Sequence, residues 1–409
     1  MSKQLVRNPL LWFGAAAAAA VALLVTFAYL GAFLDPAGNA NHVPVAILSE
    51  DAGVSLGGSQ VSLGGRLASA AAGGAIADPA ARFTVLPSRQ AVLSQMRDDS
   101  VFAAIVVPRD FTARVVGLAS GASTAKAGLQ ILTNPGAGTI GASAGEDVAR
   151  RTAEQFVKTA TATLAVALRA NGGPSAAALA GGISVSTQVA VPIPQKSALG
   201  VGPFFFELTI ALGGFFLAAI LSFSIEAAAG RQKLELFGHV TRGKLGNLSR
   251  RAATRWKVGL TVVLSALTAV LQTVLAVEIL GMHATNPVAL ALFSALGSAA
   301  VGMLTLFCLL AFDVAGRIVA ALVLLLFGVP TSGGPYPHQA LPRFFRFLGD
   351  FLPLRRMTDG ARSLVFFDGH MGAGLARALW VLGAYLVGAT LLVLLAAAQM
   401  ERRVRAQNA

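Results

Sequence analysis

The sequence has only one cysteine, Cys308, and this residue lies inside an apolar run. No intrachain disulfide is therefore available to stabilise the fold. Charged residues are also scarce, at 12% of the 409 residues, whereas hydrophobic residues reach 55% and the mean hydropathy is +0.68. Because water-soluble domains carry more charge than this, the composition excludes an ordinary soluble protein and favours a membrane protein.

Histidine is rare as well, and the five histidines show no pair at metal-ligand spacing. We therefore expect no metal and no other cofactor.

The formal net charge is +13, but the 12 basic residues between positions 35 and 200 nearly balance 10 acidic ones. The segment 226–257 instead carries eight basic residues against two acidic ones. This distribution predicts membrane topology rather than a nucleic-acid partner.

Long apolar runs predict about six transmembrane helices, because a spanning helix needs about 20 mostly apolar residues. The predicted spans are residues 10–34, 201–225, 258–280, 288–312, 318–329 and 376–398. The run 318–329 is short for a span. The first run is too long for a cleaved signal peptide and is interpreted as an uncleaved anchor.

The basic residues orient these spans, because Lys and Arg collect in cytoplasmic loops. Lys3 and Arg7, the segment 226–257, and the C-terminal tail 399–409 are placed in the cytoplasm, so both termini are cytoplasmic. Residues 35–200 and 331–375 then lie outside. The outer segment 331–375 conflicts with the rule, since it contains five arginines: Arg343, Arg346, Arg355, Arg356 and Arg362. Interfacial helices would explain them, and an error in the topology is the alternative.

Residues 35–200 predict an inserted extracytoplasmic α/β domain. Apolar runs at 43–48, 83–86, 102–107 and 129–132 predict strands, and 88–97, 111–118 and 142–168 predict helices. The alanine-rich helix 142–168 buries little area by itself, so we expect it to pack against something, with a second copy as one hypothesis. The chain from about 174 to 197 is interpreted as a return to the bilayer.

Two short motifs resemble catalytic signatures and are rejected. Gly238-x-x-x-x-Gly243-Lys244 resembles a phosphate-binding loop, but Leu245 stands where Ser or Thr is required and no apolar strand precedes it. Gly141-x-Ser143-x-Gly145 matches a hydrolase nucleophile elbow, which needs a strand leading into the serine and a downstream acid and histidine. We therefore expect that the protein is not an enzyme and that it has no nucleotide-binding site of its own.

Polar residues within or near the spans are candidates for function, because a charge in lipid is costly. Glu207 and Glu278 lie near outer helix ends and are candidates for a shared route or for proton binding; interfacial residues are the alternative. Asp313 and Arg317, at i and i+4, are predicted to pair on one helix face.

The segment 226–257 mixes basic and apolar residues, as in a short amphipathic helix on the inner membrane surface. It is predicted either to rest on anionic lipid or to dock a cytoplasmic partner. The candidate docking residues are Arg231, Lys233, Phe237, Arg242 and Lys244.

Several stretches of the sequence resemble one family. Residues 43–53 (VPVAILSEDAG) resemble the VAVVNEDxG opening of the phage-infection-protein (YhgE/Pip) branch of ABC-2 type membrane proteins, and residues 102–111 (FAAIVVPRDF) resemble its YAAIVIPxDFS segment. Ser49 replaces the usual Asn, and Thr112 the usual Ser. Residues 335–342, 352–353 and 360–362 resemble the outer re-entrant segment of ABC-2 permeases. That similarity suggests an outer gate formed by Pro330, Pro335, Tyr336, Pro337 and Pro342.

The resemblance implies a five-helix bundle over 201–398, a homodimer, and a separate cytoplasmic ATPase that contacts the segment 226–257. The resulting expectation is an exporter subunit in the bacterial plasma membrane that moves an amphipathic, lipid-like or cell-envelope compound. Two alternatives remain open from the residues: an envelope docking or receptor protein that does not transport, and a proton-coupled exporter that uses Glu207 and Glu278.

Overall fold

A computed structural model of the chain describes residues 23–24, 27–29, 32, 42–56, 59–76, 78, 80–168, 179, 181–232, 234–236, 239–241, 248–312, 314–334 and 336–408. A sheet domain precedes a helical bundle. The sheet domain contains β1 (Val43–Ser49), β2 (Val54–Leu56), β3 (Ser59–Val61), α1 (Leu63–Ala72), β4 (Ala81–Val85), α2 (Arg89–Arg97), β5 (Ala103–Val107), α3 (Phe111–Ala119), β6 (Ala127–Thr133), α4 (Thr139–Leu168) and β7 (Ile183–Val189).

The main sheet has five strands in the order β4-β1-β5-β6-β7. β1 pairs in parallel with β4 and β5, β6 runs antiparallel to β5, and β7 is parallel to β6. The central strands β1 and β5 are buried along almost their whole length. Such continuous apolar strands are typical of a sheet covered on both faces.

Alternate residues of β1 face opposite layers of the domain. Val45 and Ile47 pack with α1, α3 and α4, whereas Ala46 and Leu48 pack with α2. The domain is therefore a three-layer α/β/α arrangement. The predicted α/β fold is confirmed, and all four predicted strands and three predicted helices are present with small shifts at their ends.

The helical bundle contains α5 (Gly202–Ala228), β8 (Leu234–Leu236), β9 (His239–Thr241), α6 (Arg250–Val274), α7 (Pro287–Phe312), α8 (Val314–Ala321), α9 (Arg343–Phe351), α10 (Pro353–Phe366) and α11 (Leu375–Asn408). α6 continues through a π-helical segment, Leu275–Ile279, and α8 through another, Leu322–Gly328.

Four helices in the described part of the chain are long and apolar enough to cross a membrane: Gly202–Ala228, Arg250–Ile279, Pro287–Phe312 and Leu375–Gln399. They correspond to four of the predicted spans. The predicted span 318–329 lies in a shorter apolar helix, Ala315–Thr331. The predicted anchor 10–34 lies mostly outside the described residues, although Ala28 and Ala32 pack against Leu326 and Phe345.

Large apolar side chains point outward from the long helices. On α6, Val263, Leu267 and Leu271 are each more than half exposed and recur every four residues, so they lie along one face. Trp380 on α11 is 82% exposed. Because large apolar surfaces of this kind are rare on soluble proteins, these faces are expected to contact lipid.

Close helix packing in the bundle depends on small residues. A methyl group at Gly214 of α5 would lie 2.3 Å from the carbonyl oxygen of Ser298 on α7, and one at Gly302 would lie 2.7 Å from the Thr261 methyl group on α6. These contacts leave no space for a side chain, as is common where membrane helices pack closely.

Candidate functional site

A cleft of about 1210 Å³ lies in the sheet domain, on the face of the main sheet that α1, α3 and α4 cover, and these three helices form its walls. Its lining includes a set of apolar side chains drawn from all three helices and the loop after α1: Leu63, Leu67, Ile76, Val116, Phe156 and Ala160. Pockets of this volume, lined mainly by apolar groups, are suited to a small amphipathic molecule.

Charged residues also line this cleft. Arg66, Arg151 and Lys158 are exposed, and Asp78 and Glu154 lie among them. A guanidinium nitrogen of Arg151 lies 3.8 Å from a carboxylate oxygen of Asp78. The cleft therefore offers apolar contacts together with one more positive than negative charge, which suits a ligand with an apolar body and a polar or anionic end.

Asp51, in the first segment that carries the family resemblance, fixes the helices beside this cleft. Its carboxylate accepts hydrogen bonds from the Ser62 hydroxyl (2.8 Å), the Gly64 N–H (3.0 Å) and the Thr112 N–H (3.1 Å). Burial by itself raises the pKa of Asp51, but these hydrogen bonds outweigh it and hold the pKa below its usual value. Asp51 thus joins the N-terminal ends of α1 and α3.

The Glu207 carboxyl is fully buried near the start of α5. Its Oε1 accepts a hydrogen bond from the Ser294 hydroxyl of α7 at 2.8 Å, and its Oε2 has no partner among the described residues. Further buried hydroxyls without a described partner lie on α6 and α7: Thr261, Ser265 and Ser298. We call this set of buried polar groups on α5, α6 and α7 the polar seam.

Two other predicted intramembrane polar residues are described, Glu278 and Arg317, and they lie apart from this seam. Glu278 lies in the π-helical segment after α6 and is exposed. Arg317 on α8 is exposed, and its predicted partner Asp313 lies outside the described residues. The structure therefore supplies no contact between Glu207 and Glu278, and the predicted shared route through both carboxyls receives no support from the described geometry.

The bundle and the sheet domain meet at a junction built around Arg362 of α10. The Arg362 guanidinium donates to the Gly136 carbonyl oxygen at 2.8 Å and lies 3.2 Å from a carboxylate oxygen of Asp99. Beside it, His370 Nδ1 lies 2.7 Å from Asp98 Oδ1. We call these residues the junction. A methyl group at Gly136 would lie 2.8 Å from the Phe367 ring, so glycine is needed for this close approach.

Burial raises the pKa of the Asp99 carboxyl to about 6, although Arg362 acts in the opposite direction. Asp359 adds to the increase, because two nearby carboxylates repel each other. The junction therefore contains an acid that changes charge close to neutral pH.

Two more of the predicted outer arginines are buried on α10. Arg355 and Arg356 both contact Asp350, at 2.9 Å and 3.0 Å, and Arg356 also contacts Asp359 at 3.0 Å. His338 lies 3.2 Å from Arg355, and burial, followed by the Arg355 charge, lowers the pKa of His338 to about 4. Of the two explanations offered for the outer arginines, interfacial helices do not account for Arg355 and Arg356, because both are buried and paired with carboxylates within the protein.

Helix α9 differs from α10. Phe344, Phe347 and Phe351 are each more than half exposed and share one face of α9. Arg343 is exposed and Arg346 is half-buried on the same helix. An interfacial helix is therefore compatible with this part of the outer segment.

The described members of the proposed outer gate have different surroundings. Pro330 is buried in the helical turn Val329–Thr331, and the buried Pro337 approaches Gly141 of α4. Tyr336 packs beside Leu341 and Phe345, and Pro342 immediately precedes α9. Pro335 lies outside the described residues. Of the described members, Pro337 thus reaches the sheet domain, and the outer gate stays a prediction.

The sequence predicts a short amphipathic helix in the segment 226–257, and this is wrong for the described residues 234–236 and 239–241, which form the antiparallel pair β8 and β9. Residues 226–228 end α5, and residues 250–257 begin α6. Of the candidate docking residues, Arg231 is described and pairs with Glu226. Lys233, Phe237, Arg242 and Lys244 lie outside the described residues, as does most of the phosphate-loop-like motif.

Ser143 lies within α4, past its first turn, and its hydroxyl donates to the Thr139 carbonyl oxygen at 2.7 Å. A nucleophile elbow places the serine at the turn between strand and helix, so the motif here has a different geometry. Within the described ranges, no group of three or more His, Cys, Asp or Glu side chains is placed to hold a metal ion.

A family profile described as "Protein of unknown function (DUF3533)" matches residues 17–391. The chain belongs to the DUF3533 family. The matched range includes the whole sheet domain, the junction and the first half of α11. No curated protein and no solved structure matches this DUF3533 chain significantly.

Proposed function

We propose that this DUF3533 protein is an export permease subunit that moves an amphipathic or lipid-like compound across the bacterial plasma membrane. The observation that carries the proposal is the cleft of about 1210 Å³ in the sheet domain, with its apolar residues and neighbouring charges. The four apolar helices supply a membrane part for the same chain. The resemblance to ABC-2 type proteins adds the expectation of a homodimer and of a separate ATPase.

In this proposal the sheet domain lies outside the cell and the segment 226–257 lies in the cytoplasm, as the basic residues predict. The junction supports a functional connection between the two parts. Arg362 belongs to a helix that packs against α5, α7 and α11, and its guanidinium contacts the loop that leads from β6 to α4. Since α4 forms one wall of the cleft, a movement of α10 would reach the cleft through this loop.

A cleft-blocking substitution tests the proposal. Ala160 lines the cleft, and Ala162 is an exposed neighbour on the same helix that does not. Ala160→Trp should reduce binding of a fluorescent palmitate analogue to the purified full-length protein about tenfold, a change of about 1.4 kcal/mol. Ala162→Trp adds the same ring outside the cleft and should bind as the unchanged protein does.

The same pair of variants is then assayed in cells that lack the chromosomal copy. The unchanged protein and Ala162→Trp should lower the accumulation of the palmitate analogue, whereas Ala160→Trp should not. Equal accumulation with and without the protein would contradict transport. Binding that depends on the cleft without any effect on accumulation would instead favour the envelope receptor function.

Proton coupling, as an alternative to a separate ATPase, is supported by one observation. The Glu207 carboxyl is buried, and its Oε2 has no partner among the described residues. Proton-coupled export predicts that Glu207→Gln abolishes transport while preserving the hydrogen bond from Ser294. It also predicts that a protonophore stops transport in cells. Full export by Glu207→Gln would contradict proton coupling through this residue and favour the separate ATPase.

A further inference from the structure

A second cavity, of about 490 Å³, lies at the end of the bundle where α5 ends and α6 begins. Its walls come from the last turns of α5 and α7, the first turns of α6, and residues on α8 and α11. Lys257 directly precedes the apolar part of α6, and Glu226 lies at the end of apolar α5. The cavity therefore lies where the spanning helices change from apolar to charged residues, which is the depth of lipid headgroups.

The charges of this cavity are unbalanced. Four cationic side chains, Arg231, Arg250, Lys257 and Arg317, line it together with one acidic side chain, Glu226. Its lining residues thus carry a net charge of three positive units. Because four cationic side chains converge around a single carboxylate, such a cavity favours an anion.

Glu226 already holds two of the cations in fixed positions. Lys257 Nζ lies 2.7 Å from Glu226 Oε1, and the Arg231 guanidinium contacts both carboxylate oxygens. Arg231 also donates to the Leu248 carbonyl oxygen at 2.9 Å. Arg250 and Arg317, which lie on two different helices, have no acidic partner among the described residues.

The remaining walls indicate what kind of anion fits. Phe223, Leu306 and Leu310 give the cavity an apolar side, and the Gln232 amide contributes a buried oxygen without a described partner. Rotation of this amide by half a turn would present its N–H groups instead. Arginine guanidinium groups match phosphate geometry with paired hydrogen bonds.

We propose that this cavity binds the phosphate group of an anionic phospholipid, with the start of the acyl chains against Phe223, Leu306 and Leu310. Basic pockets between membrane helices recognise such headgroups through the same chemistry. The inference does not depend on transport, since lipid binding is measured without it. A soluble phosphate has the same charged group but lacks the acyl chains, and the test separates the two sources.

The test uses the full-length protein in neutral detergent after delipidation. Its thermal unfolding is followed while phosphatidylglycerol, phosphatidylcholine or inorganic phosphate is added. Arg250→Gln and Arg317→Gln remove cations of the cavity on two different helices. Arg255→Gln is the matched control, because Arg255 is an exposed arginine on the same helix as Arg250 and does not line the cavity.

Phosphatidylglycerol should raise the unfolding temperature of the unchanged protein and of Arg255→Gln, and phosphatidylcholine should not. Arg250→Gln and Arg317→Gln should each need about tenfold more phosphatidylglycerol for the same increase. Equal stabilisation by phosphatidylcholine would overturn the proposal. So would an equal loss in Arg255→Gln, or an effect of inorganic phosphate equal to that of phosphatidylglycerol.

Discussion

Asp99 is predicted to destabilise the fold at neutral pH, even though it forms an ion pair with Arg362. Its pKa in the folded protein is about 6, against a reference value of 3.8. A carboxyl whose pKa is raised by folding favours the folded state when it is protonated, so its contribution is full below about pH 4. That contribution is lost as the pH rises through 6.

The magnitude follows from the difference between these two pKa values. One pKa unit corresponds to about 1.4 kcal/mol, so complete ionisation of Asp99 lowers the free energy of unfolding by up to about 3 kcal/mol. About a quarter of the side chain (23%) is exposed, which makes this an upper value. Asp99→Asn removes the ionisation, while Arg362 retains its hydrogen bond to the Gly136 carbonyl oxygen.

The measurement is the free energy of unfolding of the full chain in mixed micelles at pH 5 and pH 8. Asp99→Asn should be more stable than the unchanged protein at pH 8, and the difference should be about half as large at pH 5, because pH 5 lies between the two pKa values. Asp99 has a positive φ of 55°, a conformation that Asn also tolerates. Any change in stability that comes from this backbone preference is the same at pH 5 and at pH 8. Asp98→Asn serves as a control, since its partner His370 is more than half exposed. A difference that is the same at both pH values would refute the reasoning.

Two further substitutions test the packing around the site. Asp51→Ala should lower the free energy of unfolding of the sheet domain by about 3 kcal/mol, because N–H groups at two helix ends lose their acceptor. Asp110→Ala, which breaks only an exposed pair, should cost less than about 1 kcal/mol by chemical denaturation. The lowered pKa of Asp51 also predicts that its contribution is present above about pH 4 and is lost at lower pH, which a pH series would reveal. Gly214→Val should destabilise the bundle by about 2 kcal/mol or more because α5 and α7 must separate, whereas Gly388→Val, at an open position, should be nearly neutral in the same assay.

The sequence predicts best the helices and strands whose signal is local, such as a continuous apolar run or a capping residue. β1 and β5 are continuous apolar runs, and Ser88 caps α2 as its position before the helix suggests. The strand β7 was missed because its exposed positions carry Ser, Thr and Gln within a stretch rich in glycine and proline. Its place beside β6 follows from pairing across more than fifty residues, which local periodicity does not indicate.

The functional residues were predicted less completely, because their roles depend on contacts between distant segments. Glu207 was recognised as a polar residue in an apolar run, but its partner Ser294 lies 87 positions later. The cleft combines α1, α3 and α4, and no single segment signals it. The one clue is the alanine-rich helix predicted at 142–168, which buries little area by itself and is expected to pack against something.

The buried arginines of α10 explain why charge counting conflicted with the predicted topology. The rule that places Lys and Arg in the cytoplasm counts basic residues in short loops next to the spans, whatever contacts these residues make in the fold. Arg355 and Arg356 are instead paired with Asp350 and Asp359, and Arg362 with Asp99. Three buried cations matched by three carboxylates add little net charge to the segment 331–375, and the exposed helix α9 retains only Arg343 and Arg346. The segment 226–257 carries eight basic residues against two acidic ones, and its cytoplasmic placement stays a prediction from this count.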